Sequence, residues 1–366
     1  MISKDTTGME TTRSKAQESA TLQEILTQPQ AWKASLSDFK GSRMLQTILE
    51  QTSSRTEWLF LGCGTSFYLA EAAAASWTIL SGQRARALPA SEILLFSDLN
   101  LQPHRELQAV VISRSGTTSE AVRAASLLRR KHNIATLGVT CSPNSPLESA
   151  CELTIQLSAA HEKSIVMTRS FTSMLLVLQY LAGCKKNAEG FCASLEKLAG
   201  SFEASLLSFS DRVNSFTKDR TFVDYIFLAQ GPFLGIAHEA ALKVAEMSCS
   251  FSQSYHTLEF RHGPKAIVGP ETCLTFFISE SGQHAECEML AEMKEIGGVV
   301  VIVCNRANKR ITASSDLVFE MGLDVPEIAT LAASIVPGQL LGCYTGLKKG
   351  LNPDAPKNLS RVVLLD

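Results

Sequence analysis

The chain has 366 residues, of which 45% are hydrophobic and 19% charged, with 34 Lys+Arg against 36 Asp+Glu and a formal net charge of −2. That apolar content excludes a disordered chain, and the balanced charge argues against a nucleic-acid binder. At roughly 100–200 residues per domain the length divides into two, either able to bury a core.

The first twenty residues are polar, carrying Lys4, Asp5, Glu10, Arg13, Lys15 and Glu18. They lack the apolar core of a signal peptide. The densest apolar run, Val299–Val303, is strand-length, well short of the about 18–20 residues of a membrane span. A cytoplasmic chain with no membrane or nucleic-acid partner is expected. A leading helix is expected over about Gln17–Leu49.

A strand, a glycine turn and a helix follow in Trp58–Ala75, WLFLGCGTSFYLAEAAAA. Val110–Ala121, VVISRSGTTSEA, reads as strand, hydroxyl-rich turn and helix, and Ala135–Cys141, ATLGVTC, as a third strand. After a polar helical segment, Lys185–Lys218, the series returns as Tyr225–Leu242, Phe276–Cys287 and Val299–Cys304. Phe60/Phe227, Leu61/Leu228, Gly64/Gly231, Ala70/Ala237 and Ala73/Ala240 coincide, and Ile-Ser-x-Ser-Gly recurs downstream. The chain is a tandem duplication. Short apolar strands alternating with helices predict an α/β fold in which each copy is a flavodoxin-like parallel sheet sandwiched between helices. The expected divisions are a polar tail and helix at 1–40, one domain at 41–184, a helical linker at 185–219, a second domain at 220–345 and a tail at 346–366. The tail ends in the strand-like RVVLLD.

The 10 cysteines include no C-x-x-C pair and read as reduced, mostly buried thiols. The 7 histidines show no H-x-x-x-H or H-E-x-x-H spacing, so no metal is expected. In open parallel sheets ligands bind beyond the carboxyl ends of the strands. Cys63, Gly64, Thr65 and Ser66 lie at one such end; Ser113, Arg114, Ser115, Gly116, Thr117 and Thr118 lie at another. Hydroxyls, free N–H groups and a glycine at a helix start fit a phosphate cradle, and they also fit ordinary helix capping. Neither a Walker loop nor a G-x-G-x-x-G fingerprint is present. The second copy has Gln230–Phe233 and Ser279–Gln283 at these places, with Glu280 where a phosphate would be repelled. One phosphate site per pair of copies follows. The second copy carries instead Glu239, Lys243 and Glu246 along one helix face, and His262 before Gly263-Pro264. Alone, that ladder reads as a solvated stripe. A carboxylate, a histidine and a phosphate cradle in one protein together supply a general base, a general acid and a substrate anchor.

The G-C-G-T-S turn, the I-S-R-S-G-T-T loop, Met167–Thr172 (MTRSFT) and Phe260–Lys265 (FRHGPK) resemble a tandem sugar isomerase (SIS) protein, from about Leu22 to the C-terminus. The likeness is to the isomerase half of glutamine–fructose-6-phosphate aminotransferase, and more closely to stand-alone aminosugar-phosphate deaminase/isomerases. It implies phosphate and sugar contacts at Thr65, Ser66, Ser113, Ser115 and Thr118, and a substrate-contacting loop at Ser164. By the same resemblance Glu246 moves protons between C1 and C2, and His262 opens the sugar ring. That histidine is often donated by a neighbouring subunit, which implies a homodimer with shared active sites. No organic cofactor is implied.

Three positions depart from the aminotransferase pattern. Ile2 follows Met1 and about forty residues precede the first copy, so glutamine is not expected as ammonia source within this chain. Arg361 stands where the aminotransferase carries a Schiff-base lysine, and arginine is no amine nucleophile. Its donor fork remains able to contact substrate or phosphate, and Lys357 is the nearby amine. Met167 stands at a position usually serine. The resemblance implies an aminosugar-6-phosphate deaminase/isomerase that turns a hexosamine 6-phosphate into a ketose 6-phosphate and ammonia. Aldose–ketose isomerisation and fructosamine-6-phosphate deglycation use the same proton transfer. A non-catalytic sugar-phosphate sensor is the rival from another class, although no basic helix-turn-helix precedes the first copy.

Overall fold

A computed structural model of the chain describes residues 19–101 and 106–365. It opens with three helices rather than the single one expected: α1 (Ala20–Leu26), α2 (Gln28–Lys40) and α3 (Arg43–Gln51). Pro29 in the first turn of α2 and the Gly41-Ser42 junction break the run. The expected start at Gln17 lies outside the described residues.

The first copy then runs β1 (Glu57–Gly62), α4 (Thr65–Ser81), β2 (Arg84–Pro89), α5 (Ala90–Leu95), α6 (Ser97–Asn100), β3 (Leu107–Ile112), α7 (Ser119–Lys131), β4 (Ala135–Thr140), α8 (Pro146–Ala150) and β5 (Leu153–Gln156). Two long helices follow, α9 (Arg169–Lys185) and α10 (Glu189–Lys218). The second copy is β6 (Asp224–Ala229), α11 (Leu234–Ser248), β7 (Phe251–His256), β8 (Thr272–Phe277), α12 (Gln283–Glu295), β9 (Val299–Cys304), α13 (Lys309–Ala313) and β10 (Leu317–Glu320). Helices α14 (Leu331–Ser334) and α15 (Val336–Lys348) close the chain.

All strand pairs are parallel, in the orders β2-β1-β3-β4-β5 and β7-β6-β8-β9-β10. Counted within each copy, both orders are 2-1-3-4-5, the flavodoxin-like winding. The fold is α/β, two five-stranded parallel sheets flanked by helices. Strands β1, β3, β6 and β8 are buried along their whole length because helices cover both faces. One face of each sheet joins a common core with α1–α4, α9–α11 and α15, containing Trp32, Phe60, Phe171, Phe202 and Phe227. The opposite faces have separate cores, Leu59 and Val111 with α5 and α7 in one, Ile226 and Ile302 with α12 in the other.

The helical run Glu327–Lys348 is 22 residues long and apolar enough to cross a membrane by length and composition. Its 18-residue apolar window is entirely buried inside the protein, so its apolar surface is that of a core helix. Its glycines let α11 approach at backbone distance. A Cβ on Gly342 would lie 2.8 Å from the Lys243 carbonyl oxygen, and one on Gly346 would lie 2.2 Å from that of Met247. On its other side α11 meets α4, where a Cβ on Gly235 would lie 2.8 Å from the Tyr68 carbonyl oxygen. Helix α11 is therefore gripped between two other backbones.

The terminal RVVLLD does not form the expected strand. It crosses the start of α7, where Val363 accepts a hydrogen bond from the Ser119 N–H and Leu365 donates its own to the Ser119 hydroxyl. Earlier in the tail, the Asp354 carboxylate accepts from Ser19 Oγ and from the Ala20 and Thr21 N–H groups. Both ends of the described chain are thus tied to one another.

Candidate active site

Strands β1 and β3 are neighbours with Leu61 opposite Val111, so the turns that follow them lie side by side. In the first turn Gly64 has φ 54°, and Thr65 and Ser66, both buried, start α4. Cys63 is half-buried, and burial, reinforced by the charge of Glu120, pushes its thiol up to about 11. In the second turn Ser113 Oγ accepts from the Gly116 N–H at 3.1 Å and donates to Thr118 Oγ1 at 3.2 Å. Ser115 Oγ accepts from the Thr117 N–H and lies 3.0 Å from Thr117 Oγ1. Gly116 has φ 65°, and a Cβ there would meet Ser145 Oγ at 2.2 Å, so no side chain fits. A tight ring of hydroxyls at the start of the 13-residue helix α7 results. Such a ring, with N–H groups and a helix dipole behind it, suits an anion.

Against the first turn packs the charged face of α11. It is not the solvated stripe that spacing alone suggested: Glu239 and Lys243 are fully buried, and Glu246 keeps only 19% side-chain exposure. Lys243 Nζ lies 2.5 Å from Glu246 Oε2, 3.3 Å from Glu239 Oε1 and 3.0 Å from Thr65 Oγ1. Neither Glu239 oxygen has a well-aligned hydrogen bond among the described residues. Burial, only partly offset by Lys243, pushes this carboxyl up to about 8. Burial alone would lower Lys243, but the two carboxylates outweigh it and hold the ammonium above its ordinary value. Near neutral pH Glu239 is therefore protonated beside a charged Lys243, with Glu246 at the open end. The signal that could have shown this burial is that α11 is otherwise apolar except for His238 and Ser248. Ile236, Ala237, Ala240, Ala241, Val244 and Met247 leave it no solvent face.

Other expected site residues are placed elsewhere. The Arg114 guanidinium turns from the hydroxyl ring to Glu162, 3.2 Å away and fully buried. Glu162 also accepts from Thr168 N–H, Thr168 Oγ1, Ser170 N–H and Ser170 Oγ. The Ser164 hydroxyl donates to Glu24 of α1, and Arg361 donates to the Glu162 and Lys163 carbonyl oxygens. Arg114, Ser164 and Arg361 thus fasten the 161–168 loop. That loop reaches the first turn at Met167, whose Sδ lies 4.0 Å from Ser66 Oγ. His262 is exposed on the loop after β7, and its ring has no hydrogen-bond partner among the described residues. No hydrogen bond or ion pair joins it to Glu246 among the described residues. No group of three metal-binding side chains occurs among the described residues.

The SIS-domain sequence profile matches residues 53–183 and again 225–340, the two copies just described. The chain belongs to the SIS-domain family. This SIS protein is 24% identical over 369 residues to glutamine–fructose-6-phosphate aminotransferase [isomerizing] of Pyrobaculum aerophilum, covering 94% of this chain and 57% of that one. It is 26% identical over 356 residues to a Streptomyces coelicolor protein named "Putative D-galactosamine-6-phosphate deaminase AgaS", covering 92% and 91%. The crystal structure of glucosamine-6-phosphate deaminase from Thermotoga maritima superposes with a TM-score of 0.75 at 28% identity, over 95% of this SIS protein and 100% of that chain. The chain spans about half the length of the curated aminotransferases it matches.

Proposed function

We propose that this SIS protein is an aminosugar-6-phosphate deaminase/isomerase, acting on an open-chain hexosamine 6-phosphate without a metal or organic cofactor. The observation that carries the reading is the buried Lys243 ammonium, which joins Glu246 to Thr65 of the first turn. Of the two carboxylates on α11 only Glu246 has an exposed edge, so it is the one a substrate can touch. The phosphate is anchored in the hydroxyl ring of Ser113, Ser115, Thr117 and Thr118 at the start of α7. Glu246 removes the C2 proton and returns it to C1 while O1 gains a proton and the amine loses one, converting the 2-amino aldehyde to a C2 imine. Water adds at C2 and ammonia leaves, giving the ketose 6-phosphate. Lys243 holds Glu246 in place, and protonated Glu239 supports Lys243 without adding a second buried negative charge.

His262 opens the sugar ring from a second copy of the chain, which accounts for its exposure here. The substrate class is supported by the likeness to the Thermotoga maritima deaminase and the Streptomyces coelicolor protein. The test is ammonia release, coupled to glutamate dehydrogenase, from glucosamine 6-phosphate and galactosamine 6-phosphate in parallel. Release from one or both, abolished in His262→Ala, supports the reading and names the epimer. No ammonia from either, with conversion or mere binding of a hexose 6-phosphate, replaces it by isomerisation or sensing.

A further inference from the structure

The corner between α9 and α10 holds a pair of thiols unconnected with the site above. Cys184 lies in the last turn of α9 and Cys192 in the first turn of α10, with their sulfurs 3.9 Å apart. Among the described residues these are the two of the ten cysteines hydrogen-bonded thiol to thiol. The corner brings them together because Asn187 turns the chain with φ 55°, and because Gly183 leaves room for Cys192. A Cβ on Gly183 would lie 2.8 Å from the Cys192 sulfur. Cys192 is buried, with its S–H also 3.8 Å from the Tyr180 carbonyl oxygen, while Cys184 is half-buried and open to small solutes. The nearby Glu196 carboxylate is already engaged by Lys40 at 2.7 Å and by the Tyr180 hydroxyl at 3.3 Å.

We propose that Cys184 and Cys192 form an intramolecular redox site, closed to a disulfide by a peroxide. Cys184 is the attacking sulfur, because solvent reaches it and its partner lies behind it. Its thiolate attacks one peroxide oxygen; the S–O bond forms, the O–O bond breaks and hydroxide leaves. Cys192 then attacks the Cys184 sulfenic sulfur; the S–S bond forms and water leaves. Two thiols lose two electrons in total and hydrogen peroxide is reduced to two waters. The sulfurs need to close from 3.9 Å to about 2.05 Å, a shift that side-chain rotation at a helix corner supplies. The charge environment agrees: the hydrogen bond from Cys192 draws the Cys184 thiol below its ordinary value and pushes Cys192 up. Seven of the other eight thiols are pushed up, chiefly by burial. A thiolate is the reactive species, so oxidation is directed to this corner.

Lys185 and Lys186 lie between the two cysteines, so trypsin separates them. The full chain is treated with a few equivalents of hydrogen peroxide, capped with N-ethylmaleimide, digested and analysed by mass spectrometry. The expected product is peptide Ser170–Lys185 joined to Asn187–Lys197, two mass units below their sum and split by dithiothreitol. In Cys192→Ser the same treatment is expected to carry Cys184 to sulfinic acid with no joined pair. Equal maleimide capping of both cysteines with and without peroxide would overturn the proposal. So would Cys184 joined only to the exposed Cys249.

Discussion

Replacing Glu239 by Gln isolates the electrostatics of the buried cluster. The carboxyl is fully buried and raised from 4.5 to about 8. Glutamine has nearly the same shape as the protonated acid but cannot ionise. The sign follows from linkage: the folded value lies above the unfolded one, so the contribution of Glu239 is fully present below pH 4.5, falls as pH rises, and levels off above about 8. In that window the unfolded chain has lost the proton and the folded chain keeps it. Stability therefore falls by about 1.4 kcal/mol per pH unit, or about 3 kcal/mol between pH 5.5 and 7.5. Urea unfolding of wild type and Glu239→Gln at pH 5.5, 6.5, 7.5 and 8.5 gives the difference directly, since every other titrating group cancels. Wild type is expected to lose that amount relative to the variant and then run parallel to it above pH 8. Parallel curves throughout would mean that Glu239 is ionised as an ion-pair partner of Lys243, and the protonation pattern of the cluster would be wrong.

Glu246→Gln is expected to lower turnover by about 10²–10⁴-fold with little change in KM; more than a tenth of wild-type turnover would remove Glu246 as the proton carrier. If His262 acts across a dimer, inactive Glu246→Gln and inactive His262→Ala chains, mixed and allowed to exchange, should recover about a quarter of wild-type activity, because half the dimers regain one intact site. No recovery, with exchange verified by mass, would place both residues in one chain's site. Gly342→Ala puts a methyl 2.8 Å from the Lys243 carbonyl and 2.9 Å from Met247 Cε. Overpacking of about 1–3 kcal/mol exceeds the gain of about 1 kcal/mol in helix propensity. A lower thermal midpoint and a fall in kcat larger than any rise in KM are expected.

The inner strands were legible because burial on both faces leaves continuous apolar runs such as VVVIVC in β9. The edge strands β2, β5, β7 and β10 were not. RARALP and FSQSYH are half-exposed, and neither sustains an apolar run or a period-2 alternation along its length, so neither composition nor periodicity separates them from loops. RVVLLD misled in the opposite direction: it has strand composition, but its backbone bonds go to Ser119 at the start of α7 and not to a sheet. The hydroxyl turns were legible because glycine and hydroxyl residues mark a helix start in the sequence itself. The partners of Arg114 and Ser164 were not, since Glu162 reaches Arg114 across 48 residues and Glu24 reaches Ser164 across 140. The face of α11 was found as a spacing and misread as to environment, because what buries it is α4 on one side and α15 on the other.

The backbone grip on α11 makes the protein's tolerance of change uneven. At Gly235, Gly342 and Gly346 any side chain displaces the helix that carries Lys243 and Glu246, and no substitution opposite relieves it, because the nearest atom opposite each one belongs to main chain. The distance between Glu246 and the first hydroxyl turn is therefore a property of the scaffold and not of adjustable packing. Beside His262 and in the tail the constraint is absent: a Cβ on Gly263 or on Gly350 would meet nothing within 4 Å. Variation on this framework has its room in the 161–168 loop, the tail and the segment around His262, while the placing of Lys243 and Glu246 by α11 stays the same.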